Sequence, residues 1–163
     1  MRSQTQAKQL IELLTQKGQT LAVAESLTGG MLSSALCDIS GASKVFLEGV
    51  VTYSKDSKIF RLGVDPETLA SYSPVSEQVA CQMASGVRKA LNADHAISTT
   101  GVAGPGADED GNPEGLFYIG IASADQVHSF RFQESGTRSE IREKAVCYAI
   151  DKLYELLSDP KDR

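Results

Sequence analysis

Leu21-Ala22-Val23-Ala24-Glu25-Ser26-Leu27-Thr28-Gly29-Gly30 is an apolar run that breaks into hydroxyls and two glycines. Leu21 to Ala24 read as a buried strand, and Met31 to Leu36 as the helix that follows it. Gly29 and Gly30 are expected in that helix's first turn, where each costs about 1 kcal/mol relative to alanine. A ligand that approaches the backbone closely would account for them, because N–H groups at a helix start can hold a phosphate, a carboxylate or a developing oxyanion. Ser26 is expected at the mouth of that site. Its competing reading is an N-cap. Against it, Gly29 stands where a capping box would want Glu or Gln.

Working outward, Ala7, Leu10, Ile11 and Leu14 give the segment Thr5 to Lys17 the spacing of a helix with one buried face, and Gly18 ends it. Beyond the central stretch, Val45 to Tyr53 is rich in β-branched residues and predicts a second strand. A short helix capped by Ser54 and closed by Gly63 follows, then a helix start at Asp65-Pro66 and a long helix from Ser76 to Leu91. His95 to Thr100 is a third strand that opens directly into Gly101-Val102-Ala103-Gly104-Pro105-Gly106. Gly115 to Ala124 and Val127 to Gln133 read as an antiparallel hairpin, and Thr137 with Glu140 as the capping box of a last helix. This order predicts an α/β protein: a three-layer α/β/α sandwich around a mixed, mostly parallel sheet of about five strands, with 1–163 as a single domain.

Composition narrows the function. A net charge of −5 argues against nucleic acid as a partner, since binding it requires basic surface. No apolar run approaches the roughly 20 residues of a membrane span, and the N-terminus lacks a signal-peptide h-region. Cys37, Cys81 and Cys147 are odd in number and without a C-x-x-C pair, which suits reduced thiols used in packing and a cytoplasmic protein. With only His95 and His128 and no cysteine pair, no metal site is expected. Asp108 to Asn112 lacks the ligand alternation of a calcium loop and reads as a solvated turn. The glycine loops match neither a Rossmann nor a P-loop fingerprint, and no cofactor is expected.

In open α/β sheets, ligands sit beyond the carboxyl ends of the strands. Three unusual segments follow strands here: Glu25 to Gly30, Tyr53 to Lys58, and Thr100 to Gly106. If those strands are parallel neighbours, one crevice gathers a serine, a tyrosine, lysines and two loops rich in N–H groups. That set suits serine nucleophilic catalysis without histidine, in which a desolvated neutral lysine takes the serine proton. Spacing alone leaves Lys44, Lys55 and Lys58 open as the base.

Read together, Ala24 to Gly30, Val51-Thr52-Tyr53-Ser54 with Lys58, Leu62-Gly63-Val64, Val75-Ser76-Glu77, Thr100 to Gly106, and Arg138 with Arg142 resemble the CinA C-terminal family, the nicotinamide mononucleotide amidohydrolases. The resemblance implies metal-free hydrolysis of the substrate's carboxamide to the acid and ammonia. It implies Ser26 as nucleophile, Lys58 as general base and Tyr53 as a proton-handling partner. Thr28, Gly29, Gly30, Thr100 and Gly101 would bind substrate and form the oxyanion hole, and Arg138 or Arg142 would hold its phosphate. The partner expected is therefore a small-molecule nucleotide, and the assembly a homodimer. The chain departs from the family pattern at Leu27 for a cysteine, Glu48 for a glycine, Lys55 for an asparagine, Ser73-Pro74 for Gly-Ala, and Glu114 for a valine. These departures support a second expectation, a catalytically impaired paralogue that binds a nucleotide or a protein in the same crevice.

Overall fold

The computed structural model describes residues 2–159. Its elements run α1 (Arg2–Lys17), β1 (Leu21–Glu25), α2 (Met31–Cys37), β2 (Phe46–Val51), α3 (Lys55–Leu62), α4 (Pro66–Tyr72), α5 (Glu77–Leu91), β3 (His95–Gly101), β4 (Leu116–Ala122), β5 (Val127–Gln133) and α6 (Arg138–Ser158). The sheet has five strands in the order β2-β1-β3-β4-β5. β1 pairs in parallel with β2 and β3, whereas β3–β4 and β4–β5 are antiparallel. This is a mixed-sheet, three-layer α/β/α fold. β2 ends at Val51, short of the predicted Tyr53, and α1 begins before Thr5.

The two faces of the sheet differ in side-chain size. Leu21, Val23, Ile97, Phe117, Ile119 and Ile121 face α1, α2 and α6, where large aliphatics such as Leu10, Leu14 and Ile150 fill the core. Ala22, Ala24, Ala96 and Ala122 face α3, α4 and α5. Small residues there let α5 lie close. A Cβ on Gly120 would stand 2.3 Å from the Ala80 carbonyl oxygen, and Ser98 donates its hydroxyl to the same atom. Gly86 extends this close packing to the next helix: a Cβ there would meet the Leu62 carbonyl oxygen at 2.0 Å. α5 thus fixes the height of α3, which carries Lys58.

Caps end the elements as local sequence directs. Ser54, Asp65, Ser76 and Thr137 each accept a first-turn N–H, and Thr137 with Glu140 closes a capping box. The central stretch corrects one expectation. Gly29 (φ +54°) and Gly30 (φ +100°) precede α2, with Gly30 as its N-cap, so their left-handed conformation is itself a reason for glycine. Ser26 does not cap the helix. The cysteines also depart from expectation, since Cys37 is exposed and Cys81 and Cys147 are only partly buried.

Candidate active site

β1 is the strand at which the sheet's connectivity switches direction, with β2 on one side and β3 on the other, and the carboxyl ends of all three meet at one cleft. Ser26 follows β1 immediately. Its N–H donates to the Thr99 carbonyl at 3.0 Å, and Thr28 and Thr99 hydroxyls pair at 2.7 Å behind it. Thr52, just past β2, donates its N–H to the Glu25 carbonyl. The nucleophile candidate is therefore held from both neighbouring strands.

Lys58 enters from α3 on the same helical face as Leu62, one turn on, and is 1 % exposed. Its Nζ donates to Ser26 Oγ at 3.0 Å, to the Thr52 carbonyl at 2.6 Å and to the Tyr53 carbonyl at 3.5 Å. Among the described residues no carboxylate pairs with it. Burial therefore lowers its pKa from 10.5 to about 8. A neutral amine has two hydrogens and one lone pair. With both hydrogens on the two carbonyls, the lone pair is left for the Ser26 hydroxyl, which is the geometry of a general base. Of the three lysines left open by spacing, the structure brings only Lys58 to Ser26.

The cleft has a volume of about 500 Å³, within the range of small-molecule sites. Ser26, Tyr53, Lys58, Thr100, Gly101 and Arg138 are all in its walls. Thr100 is committed to structure, with its hydroxyl on the Pro74 carbonyl at 2.7 Å. Tyr53 contributes two different groups: its carbonyl faces Lys58, while its phenol accepts from Arg138 at 3.2 Å. Arg138 also donates to the Gly104 carbonyl at 2.6 Å, tying the start of α6 to the loop after β3. The main-chain N–H groups of Leu27, Ala103 and Gly104 make no hydrogen bond among the described residues, and all three residues belong to the wall.

Four expected ligands lie outside that wall. The N–H groups at the start of α2 are taken by the buried Glu25 carboxylate, which accepts from Gly30 N, Leu32 N, Ser33 N and Ser33 Oγ. That carboxylate occupies the anion site proposed for substrate. Gly29 donates to the Ser26 carbonyl, and Thr28 is buried against Thr99. Arg142 donates to the Leu27 and Thr28 carbonyls at 2.9 and 3.2 Å, so it braces the loop from below. Of the two arginines, only Arg138 reaches the cleft.

Sequence reasoning had not placed Glu25, the Thr52 carbonyl or the acidic rim. Asp108 and Glu109 line the cleft; Asp108 is spent on the N–H groups of Asp110 and Asn112, and Glu109 pairs with Lys55 at 3.5 Å across the mouth. Glu114 does not line the cleft itself, but its carboxylate accepts the N–H of Gly106, a wall residue, at 2.6 Å. No group of three or more His, Cys, Asp or Glu among the described residues could hold a metal ion. No described helix is long and apolar enough to cross a membrane.

Fold and cleft together place the chain among three-layer α/β proteins that carry a serine and a desolvated lysine at the switch point of the sheet. Within that class, it belongs to the CinA C-terminal domain family, whose model matches residues 3–157. It is 46% identical over 151 residues to a putative competence-damage inducible protein of Caldicellulosiruptor saccharolyticus, covering 93% of this chain and 37% of that one. It is 44% identical over 145 residues to a CinA-like protein of Fusobacterium nucleatum, covering 89% and 35%. The chain thus spans about a third of the length of these curated relatives. Among solved structures, the competence damage-inducible protein A of Klebsiella pneumoniae superposes with a TM-score of 0.94 at 35% identity, covering 97% of this chain and 98% of that one. The competence/damage inducible protein of Agrobacterium tumefaciens gives 0.92 at 35% identity, with 98% and 97% covered.

Proposed function

We propose that the chain is an amidohydrolase that converts the carboxamide of nicotinamide mononucleotide to the carboxylate, releasing ammonia. The observation that carries this reading is the 3.0 Å contact between Ser26 Oγ and a buried Lys58 amine whose pKa is lowered to about 8, with no carboxylate paired to it among the described residues. Neutral Lys58 takes the Ser26 proton as Oγ attacks the amide carbon. The tetrahedral oxyanion is received by the N–H groups of the wall, for which Leu27, Ala103 and Gly104 are available. The ammonium of Lys58 then returns its proton to the leaving nitrogen, the C–N bond breaks and ammonia departs. Water attacks the acyl-enzyme with Lys58 again as base, giving the acid and free Ser26. Arg138 is the cation available to the substrate phosphate. Tyr53, whose phenol lies on Arg138, serves to hold that guanidinium.

The deciding experiment is ammonia release from nicotinamide mononucleotide by the purified protein, with Ser26→Ala as control. Release lost in the variant supports the reading. A folded protein that binds amide or acid by calorimetry without turnover would replace it with the binding-only paralogue.

A further inference from the structure

The turn that follows Ser26 is wired to a cation outside the cleft. Arg142, near the start of α6, donates from Nε to the Leu27 carbonyl at 2.9 Å and from Nη2 to the Thr28 carbonyl at 3.2 Å. The guanidinium lies directly against the turn, since a Cβ on Gly29 would stand 3.1 Å from Nη2. The peptide group that offers the Thr28 carbonyl to Arg142 has the Gly29 N–H at its other end, and that N–H donates to the Ser26 carbonyl at 3.0 Å. The peptide group of the Ser26 carbonyl ends in its turn at the Leu27 N–H. That last donor makes no hydrogen bond among the described residues, and Leu27 belongs to the cleft wall. Two hydrogen bonds and two peptide groups, all oriented the same way, thus join a fixed cation to a free N–H on the residue after the nucleophile. Hydrogen bonds chained in this sense polarise one another, so the terminal donor is strengthened. The carboxylate at this end of β1, Glu25, takes its hydrogen bonds from Gly30, Leu32 and Ser33 and none from Arg142.

We propose that Arg142 is a positioning residue for the chemistry at Ser26 and not a ligand of the substrate: it holds the Ser26–Gly29 turn and, through the Thr28–Gly29 and Ser26–Leu27 peptide groups, polarises the Leu27 N–H that receives the oxyanion. The inference rests on the acyl transfer proposed above. An N–H on the residue after a nucleophile, at a turn from strand to helix, is a recurrent oxyanion donor. Its strengthening matters only once negative charge develops on the attacked carbonyl oxygen, so Arg142 acts on kcat and leaves ground-state binding alone. The two arginines of α6 then have separate tasks, with Arg138 facing the cleft and Arg142 working through the main chain. A side chain that only braced the turn would be replaceable by any donor to one carbonyl, whereas a polarising one needs its charge.

The test compares variants of the full chain, each checked for folding by circular dichroism, in ammonia release from nicotinamide mononucleotide. Arg142→Gln keeps a donor and loses the charge; it should lower kcat about tenfold with KM within about twofold of the parent. Arg142→Lys keeps the charge on a single donor group and should hold kcat within about threefold. Arg142→Met, a second neutral variant that keeps the stem, should fall at least as far as the glutamine. A second substrate separates this proposal from the amidase reading: p-nitrophenyl acetate, whose acetyl carbon Ser26 Oγ attacks as p-nitrophenolate leaves and Lys58 takes the serine proton. Acetyl transfer, mapped to Ser26 by mass spectrometry, should follow the same order of variants. A parent that releases no ammonia but acetylates Ser26 in that order loses the amidase reading and keeps the role of Arg142. The proposal is overturned if lysine and glutamine lower kcat equally, if KM rises with kcat unchanged, if neither neutral variant folds, or if Ser26 of the parent reacts with neither substrate.

Discussion

The Lys58 amine reaches Ser26 Oγ at 3.0 Å while its other contacts are two main-chain carbonyls, and among the described residues no carboxylate offsets the burial that lowers its affinity for a proton. The reaction proposed requires the neutral amine. With a pKa lowered to about 8, kcat/KM for the amide should climb about tenfold per pH unit up to pH 7.5 and level off above pH 8.5. Lys58→Arg holds its charge throughout and should lower kcat by at least about 1000-fold at every pH. A profile flat from pH 6 to 9 would remove Lys58 from the role of base.

The same burial should be visible as stability. The unfolded lysine binds its proton up to about 10.5 and the folded one only up to about 8, so the unfolded state holds more protons between those values. Stability therefore rises with pH across that window, and the full penalty, about 3 kcal/mol, applies below it. Lys58→Met removes the penalty but leaves the Thr52 carbonyl without its donor. A net gain of about 1 kcal/mol is expected at pH 7, or roughly 3 °C in Tm, together with loss of activity. Thermal melts at pH 7 and pH 10 check this, because the advantage of the methionine should vanish at the higher pH.

Tyr53 and Arg138 lie 85 residues apart and meet through the phenol oxygen. If the tyrosine works by holding the guanidinium, Arg138→Ala should raise KM about 10- to 100-fold with kcat little changed, and Tyr53→Phe should raise it about threefold. In the Arg138→Ala background, Tyr53→Phe should then do nothing more. A 100-fold fall in kcat from Tyr53→Phe alone would return the phenol to proton transfer.

What was legible in the sequence was whatever local periodicity and capping encode. The continuous apolar run of Leu21 to Ala24, the caps at Ser54, Asp65, Ser76 and Thr137, and the loops at the three strand ends are local statements, and the sheet order then brought those ends together. Lys58 carried a signal as well: it shares the inward face of α3 with Leu62, an unusual place for an ammonium. The partners of the arginines carried none. Arg142 meets Leu27 and Thr28 across more than a hundred residues, and a guanidinium aimed at two carbonyls looks in sequence like one aimed at a phosphate. The glycines misled for a physical reason. Gly29 and Gly30 are required by positive φ ahead of the helix, a need that mimics close approach of a ligand.

Glu25 shows how the chain uses an anion of its own at that helix start. Fully buried, its carboxylate accepts from three main-chain N–H groups and the Ser33 hydroxyl, and it stands where the α2 dipole favours negative charge. Glu25→Gln turns one acceptor oxygen into an NH2 that faces donors, which should cost about 2 kcal/mol in urea unfolding. Ser26 is still held by Thr99, so kcat/KM below the melting range should stay within about threefold of the parent. Unchanged stability with a large loss of kcat would reverse the assignment and make the Glu25 charge part of the chemistry at Ser26.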